Sequence, residues 1–144
     1  PDGARVAYVS GNDLWVEDVA TKVQTRLTND GSRTTINGTF DWVYEEEFAS
    51  RTGQAYVWSP DSKSIAYLQL DQTRVPRFPI VDFLPVRNEV EWQRYPKAGD
   101  PNSIVRLGVI GLAKDGRPGP ERQSNTDPAG KCVGCATSRI PGRD

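Results

Sequence analysis

The chain contains no histidine. That absence removes every Ser-His-Asp or Cys-His nucleophilic arrangement and every His-containing metal site from these 144 residues. A general base for hydrolysis would have to be a carboxylate or be supplied from elsewhere. Methionine is also missing, and the two cysteines are Cys132 and Cys135 in "KCVGC". Their C-x-x-C spacing is that of half a zinc site or of a redox pair. With no second pair, no histidine and loop-like flanks, they are assigned no function, and no metal or cofactor is expected. No run approaches the ~18 apolar residues of a membrane span. The basic residues are scattered singly along a chain of net charge −1, so no stripe is available to track nucleic-acid phosphates.

What is present reads as short strands. "ARVAYV" (Ala4–Val9) and "DLWVEDV" (Asp13–Val19) flank "SGN", a loop suited to a hairpin, and "VQTRL" (Val23–Leu27) follows after a short polar break. Further strands are expected at Ala55–Trp58, Ser64–Asp71, Phe78–Phe83 and Ile104–Leu112. "PDGARVAYV" at Pro1 and "PDSKSIAYL" at Pro60 align without gaps, an internal repeat offset by 59 residues. A turn and strand recurring at that interval indicate stacked or radially arranged sheets. The fold class expected is all-β, a partial β-propeller of about two to three antiparallel blades, because closed propellers need about four to eight. The chain is accordingly expected to be a piece of a larger protein. Residues 113–144 carry no aromatic group, few large aliphatics and many Gly and Pro, so they are expected to form a flexible or unassigned tail.

One stretch concentrates chemistry. "GTFDWVYEEEF" sets Glu45, Glu46 and Glu47 directly behind Trp42 and Tyr44. A charge run ordinarily faces water. Here Asp41 can cap a short helical turn, and the two rings can anchor it, so that adjacent carboxylates project from a fixed platform. Like charges held together call for a cation, and an ammonium group is a fitting one. "NGT" at Asn37 is in addition a glycosylation sequon.

"DWVYEEEF", "YVWSPDSKSIAYLQLDQTRVPRFPI" and "YPKAGDPN", in that order, resemble the propeller domain of the dipeptidyl peptidase IV family, in the prolyl oligopeptidase clan. The likeness runs from about Pro1 to Leu112. It implies a serine-type parent enzyme that releases N-terminal dipeptides, and it assigns Glu46 and Glu47 to the free N-terminal amine of the peptide substrate, with Asp41, Trp42 and Tyr44 supporting them. It implies further that the catalytic triad lies in a downstream α/β-hydrolase domain of the same polypeptide, so that this chain alone is inactive. A homodimer contact is implied through an extended arm around "RVPRFPIVDFLPVRNEVEWQRYPKAG". The location implied is periplasmic, extracellular or cell-surface. The residues by themselves leave a rival open: a non-catalytic β-propeller scaffold for protein–protein interaction, with the Glu run as surface charge.

Overall fold

The computed structural model describes residues 1–47, 52–113, 116–126 and 132–133. The first sheet is an antiparallel meander of β1 (Arg5–Ser10), β2 (Asp13–Asp18) and β3 (Gln24–Arg26). Its β1–β2 hairpin turns on Gly11 and Asn12, both at positive φ, the two-residue turn whose twist suits antiparallel strands. β4 (Thr35–Asn37), the helix α1 (Trp42–Glu47), β5 (Tyr56–Trp58) and β6 (Ser64–Asp71) come next. An arm of β7 (Arg77–Asp82) and β8 (Glu89–Arg94) follows, then β9 (Ile104–Leu112), β10 (Pro118–Thr126) and β11 (Cys132–Val133).

The second sheet is built around β6. Along one side β6 pairs with β9 over its whole length, and β10 and β11 extend that side. Along the other side β5 pairs with Ile65–Tyr67 and β4 with Gln69–Asp71, end to end. The two sheets pack as successive blades of a partial β-propeller. Ala7, Leu14, Val16 and Leu27 from the first sheet meet Ile65, Tyr67 and Ile110 from the second. Each such large side chain contributes roughly 1.5–3 kcal/mol by leaving water. Tyr67 fits because its cross-strand partner is Gly108, where any Cβ would collide with the ring.

The repeat has a structural counterpart. Asp2 accepts from the Ala4 N–H and Asp61 from the Lys63 N–H, equivalent Asx turns at the mouths of β1 and β6. Gly3 and Ser62, again equivalent, both sit at positive φ. Between the sheets runs a polar seam. Asp13 accepts from Thr28 and Asn37, Asn37 also donates to Asp30, and Gln69 donates to both Asp30 and Asn37. Arg26 closes the Asp13 end as an ion pair and Arg106 reaches Gln69 at the other. Paired in this way, buried polar groups avoid the cost of desolvation without partners.

One expectation needs correction. The expected flexible tail begins at residue 113, yet Pro118–Thr126 is strand β10, paired antiparallel with β9. A backbone ladder asks little of side chains, and the edge of β9 supplies the partners that composition could not reveal. The sequon at Asn37 is occupied by the fold: the residue is fully buried and its side-chain nitrogen is committed to the seam. Of the cysteine pair, Cys132 starts β11 and Cys135 lies outside the described residues.

Candidate functional site: a capped helix set into a broken strand

The site begins where one strand is interrupted. β4 and β5 together run alongside β6, and the chain leaves between them. Gly38 donates to the Leu68 carbonyl at 2.9 Å, Ala55 donates to Gly38 at 2.9 Å, and Leu68 donates to Ala55 at 2.9 Å, so the mouth of the excursion is stitched to β6. A bridge between Thr39 and Gln54 extends the stem by one step. Gly38 turns at φ 75°, and a side chain there would press on Val9, Leu14 and Tyr56. The excursion is therefore anchored to the core at its root.

At its outer end lies α1. Asp41 is its N-cap: the carboxylate Oδ1 accepts from the Tyr44 N–H at 2.9 Å, and the Asp41 carbonyl accepts from the Glu45 N–H at 2.9 Å. The other oxygen, Oδ2, accepts from the Ser103 hydroxyl, and both residues are buried. A six-residue helix is too short to persist on its own, so the cap and outside contacts must hold it. Trp42 supplies one such contact by packing on Tyr95, ring centroids 4.2 Å apart at 51°. Tyr95 packs in turn against Phe78, and the Lys97 ammonium lies 4.3 Å from the Phe78 ring centre. Tyr44 is half-buried; burial first, and the Asp41 charge second, push its hydroxyl pKa above the usual phenol value, so it stays neutral.

Glu45, Glu46 and Glu47 are all exposed. They differ in what they face. Glu45 lines a cavity of about 560 Å³ between α1 and the base of the arm, together with Arg33, Trp42, Arg77, Glu91 and Trp92. Glu46 and Glu47 are not among the residues lining it. Asp41 and Trp42 are thus brought together at the helix root, Tyr44 beside them, and the last two carboxylates lie at its outer end. Phe48, the last residue of the motif, lies outside the described residues.

Sequence reasoning missed Ser103 and did not assign Tyr95 or Phe78 to this site. Tyr95 opens the "YPKAG" string and could have been suspected. Ser103 lies 62 residues from Asp41 in a loop without any local pattern, so no sequence signal pointed to it. Among the described residues, no group of three or more Cys, Asp or Glu could hold a metal ion, and no helix is long and apolar enough to cross a membrane.

The sequence model of the dipeptidyl peptidase IV (DPP IV) N-terminal region matches residues 1–131. A dipeptidyl-aminopeptidase B of Aspergillus niger is 35% identical over 126 residues, covering 79% of this chain and 14% of its own length. A "Probable dipeptidyl-aminopeptidase B" of Podospora anserina is 35% identical over 127 residues, covering 80% and 14%. The crystal structure of Porphyromonas gingivalis dipeptidyl peptidase 4 superposes with a TM-score of 0.73 at 30% identity, covering 85% of this chain and 17% of that one. A Bacteroides ovatus structure at 24% identity and TM-score 0.62 shares the fold. The chain spans about 14% of the length of these curated relatives. The match extends past Leu112 into β10, and on its strength this chain belongs to the dipeptidyl peptidase IV N-terminal-region family.

Proposed function

We propose that Glu46 and Glu47 receive the free N-terminal amine of a peptide substrate, in a serine-type dipeptidyl peptidase whose nucleophile lies in a downstream α/β-hydrolase domain of the same polypeptide. The observation that carries this is the pairing of exposed carboxylates with a helix that is capped, stacked and stitched to the core at its root. A protonated amine has donors enough for two carboxylates, whereas an internal peptide N–H brings one and no charge. Held in place, such a receptor fixes where the substrate begins and so which bond meets the nucleophile.

The arm supports a second part of the reading, contact with another copy. Phe83, Leu84 and Val86 at its tip are exposed, and the flanking strands leave Val90 and Trp92 exposed as well. Apolar surface so displayed marks an interaction face. It serves equally the rival scaffold role, in which α1 carries surface charge alone.

The amine receptor is tested in the full-length protein by Glu46→Gln with Glu47→Gln. The double variant is expected to lose ~100-fold or more in kcat/KM on free-amine dipeptidyl substrates. Its reactivity toward a small covalent serine inhibitor lacking an amine is expected to stay at the wild-type level. Unchanged turnover would remove the amine role and leave the scaffold reading.

A further inference from the structure

Resting on the amine-receptor reading, we infer that Ser103 is a positioning residue for Glu46 and Glu47, acting through Asp41. Asp41 has one carboxylate and two duties. Oδ1 caps α1 at the Tyr44 N–H, and that bond requires the carboxylate to stay in one rotamer. A donor outside α1 holds Oδ2. The Ser103 hydroxyl does so, from the loop that returns from the arm toward β9. Both side chains are buried, so water is poorly placed to substitute. Hydrogen bonds to a charged acceptor in such a setting are the stronger kind.

The consequence is geometric. The carboxylate is clamped from two sides, one partner 3 residues away and the other 62 residues away in sequence. The first defines where the helix starts; the second fixes that start to the second blade. Glu46 and Glu47 follow within two turns of the cap, so a swing at Asp41 moves both of them. Trp42 on Tyr95 restrains the same turn from another direction, and Tyr95 opens the same returning segment. The receptor is thereby referenced to the stretch from Tyr95 to Ser103 and not only to the strands that carry it. A specificity determinant remote from the substrate results, of a kind that sequence inspection of the acidic motif does not disclose.

The test compares Ser103→Ala with Ser103→Thr in the full-length protein, beside the Glu46→Gln, Glu47→Gln variant. Ser103→Ala is expected to raise KM for free-amine dipeptidyl substrates about ten-fold, the size of one charge-assisted hydrogen bond, with kcat changed much less. Ser103→Thr keeps the hydroxyl and is expected to restore most of the affinity. Amide hydrogen exchange at Tyr44 should quicken in the alanine variant and not in the threonine one. Wild-type KM in Ser103→Ala, with the double Gln variant inactive, would overturn the positioning role and leave the amine receptor intact. Equal losses in substrate turnover and in inhibitor reactivity, unrelieved by threonine, would overturn it as general damage to the fold. If the double Gln variant keeps wild-type turnover, the receptor reading fails first and this inference with it.

Discussion

Trp42 and Tyr95 lie with their ring centres 4.2 Å apart, joining the first residue of α1 to the strand-leaving residue of the arm. The arm and the acidic helix are thus joined by an aromatic contact. Trp42→Ala is expected to cost the helix about 1 kcal/mol, the worth of a tilted aromatic pair whose tryptophan retains 40% exposure. The effect should be local. Amide exchange at Tyr44 and Glu45 is expected to speed up while the denaturation midpoint moves little; unchanged exchange at both would show that the cap alone holds the helix.

The arm tip yields a prediction of its own. Leu84 is 95% exposed, and Phe83 and Val86 flank it with no described partner of their own strands to cover them. Hydrophobic side chains so displayed gain roughly 1.5–3 kcal/mol each when a partner buries them fully. If copies meet through the arm as proposed, replacing Phe83 and Leu84 by Ser in the full-length protein shifts it toward monomer in sedimentation velocity. An unshifted distribution would remove the arm tip from the proposed contact between copies.

The strands were legible because their signals are local. Alternating β-branched and aromatic residues announced β1, β2, β6 and β9, and the Pro-Asp repeat gave the relation between the sheets. β4 was not legible, because it is three residues long and exists by leaning on β6, whereas β5, equally short, was expected from "AYVW". β10 was hidden by composition, since its order comes from the ladder to β9. Of the site, Asp41 as cap followed from its place before Trp42, but Ser103 did not, since its only link to the motif is spatial. The polar seam was equally invisible: Asp13, Asp30, Asn37 and Gln69 read singly as turn or strand residues.

Asn37 tests that seam. It is 0% exposed, its nitrogen serves Asp13, Asp30 and the Asn12 carbonyl, and its oxygen accepts from Gln69. Asn37→Ala is expected to cost about 2–3 kcal/mol, because Asp13 and Gln69 are left short of partners in a buried place. The denaturant midpoint measures it. The same burial predicts that correctly folded protein made in a eukaryotic secretory host carries no glycan at Asn37, as mass spectrometry of the peptide would report; a glycosylated, natively folded chain would contradict the seam.

Tyr56 connects the sheets in a way that depends on pH. Its hydroxyl donates to the Ala7 carbonyl at 2.7 Å, so the second sheet reaches across to β1. Burial pushes its pKa above the ordinary phenol value, and the folded state therefore favours the neutral, donating form. A group whose folded pKa is raised contributes stability that is complete below the unfolded pKa, about 10 for tyrosine, and that is lost as pH rises through the folded value. The ionised phenolate has no proton to give Ala7 and sits in surroundings that solvate it poorly. Tyr56→Phe is expected to cost about 1 kcal/mol at neutral pH through loss of the hydrogen bond. It should also flatten the decline in stability above pH ~10, because the titrating group is gone. Denaturant midpoints taken at neutral pH and through the alkaline range for both proteins measure the two effects together. Parallel alkaline declines would assign that loss to other groups and leave the Tyr56 contact with no pH-dependent part in holding the blades.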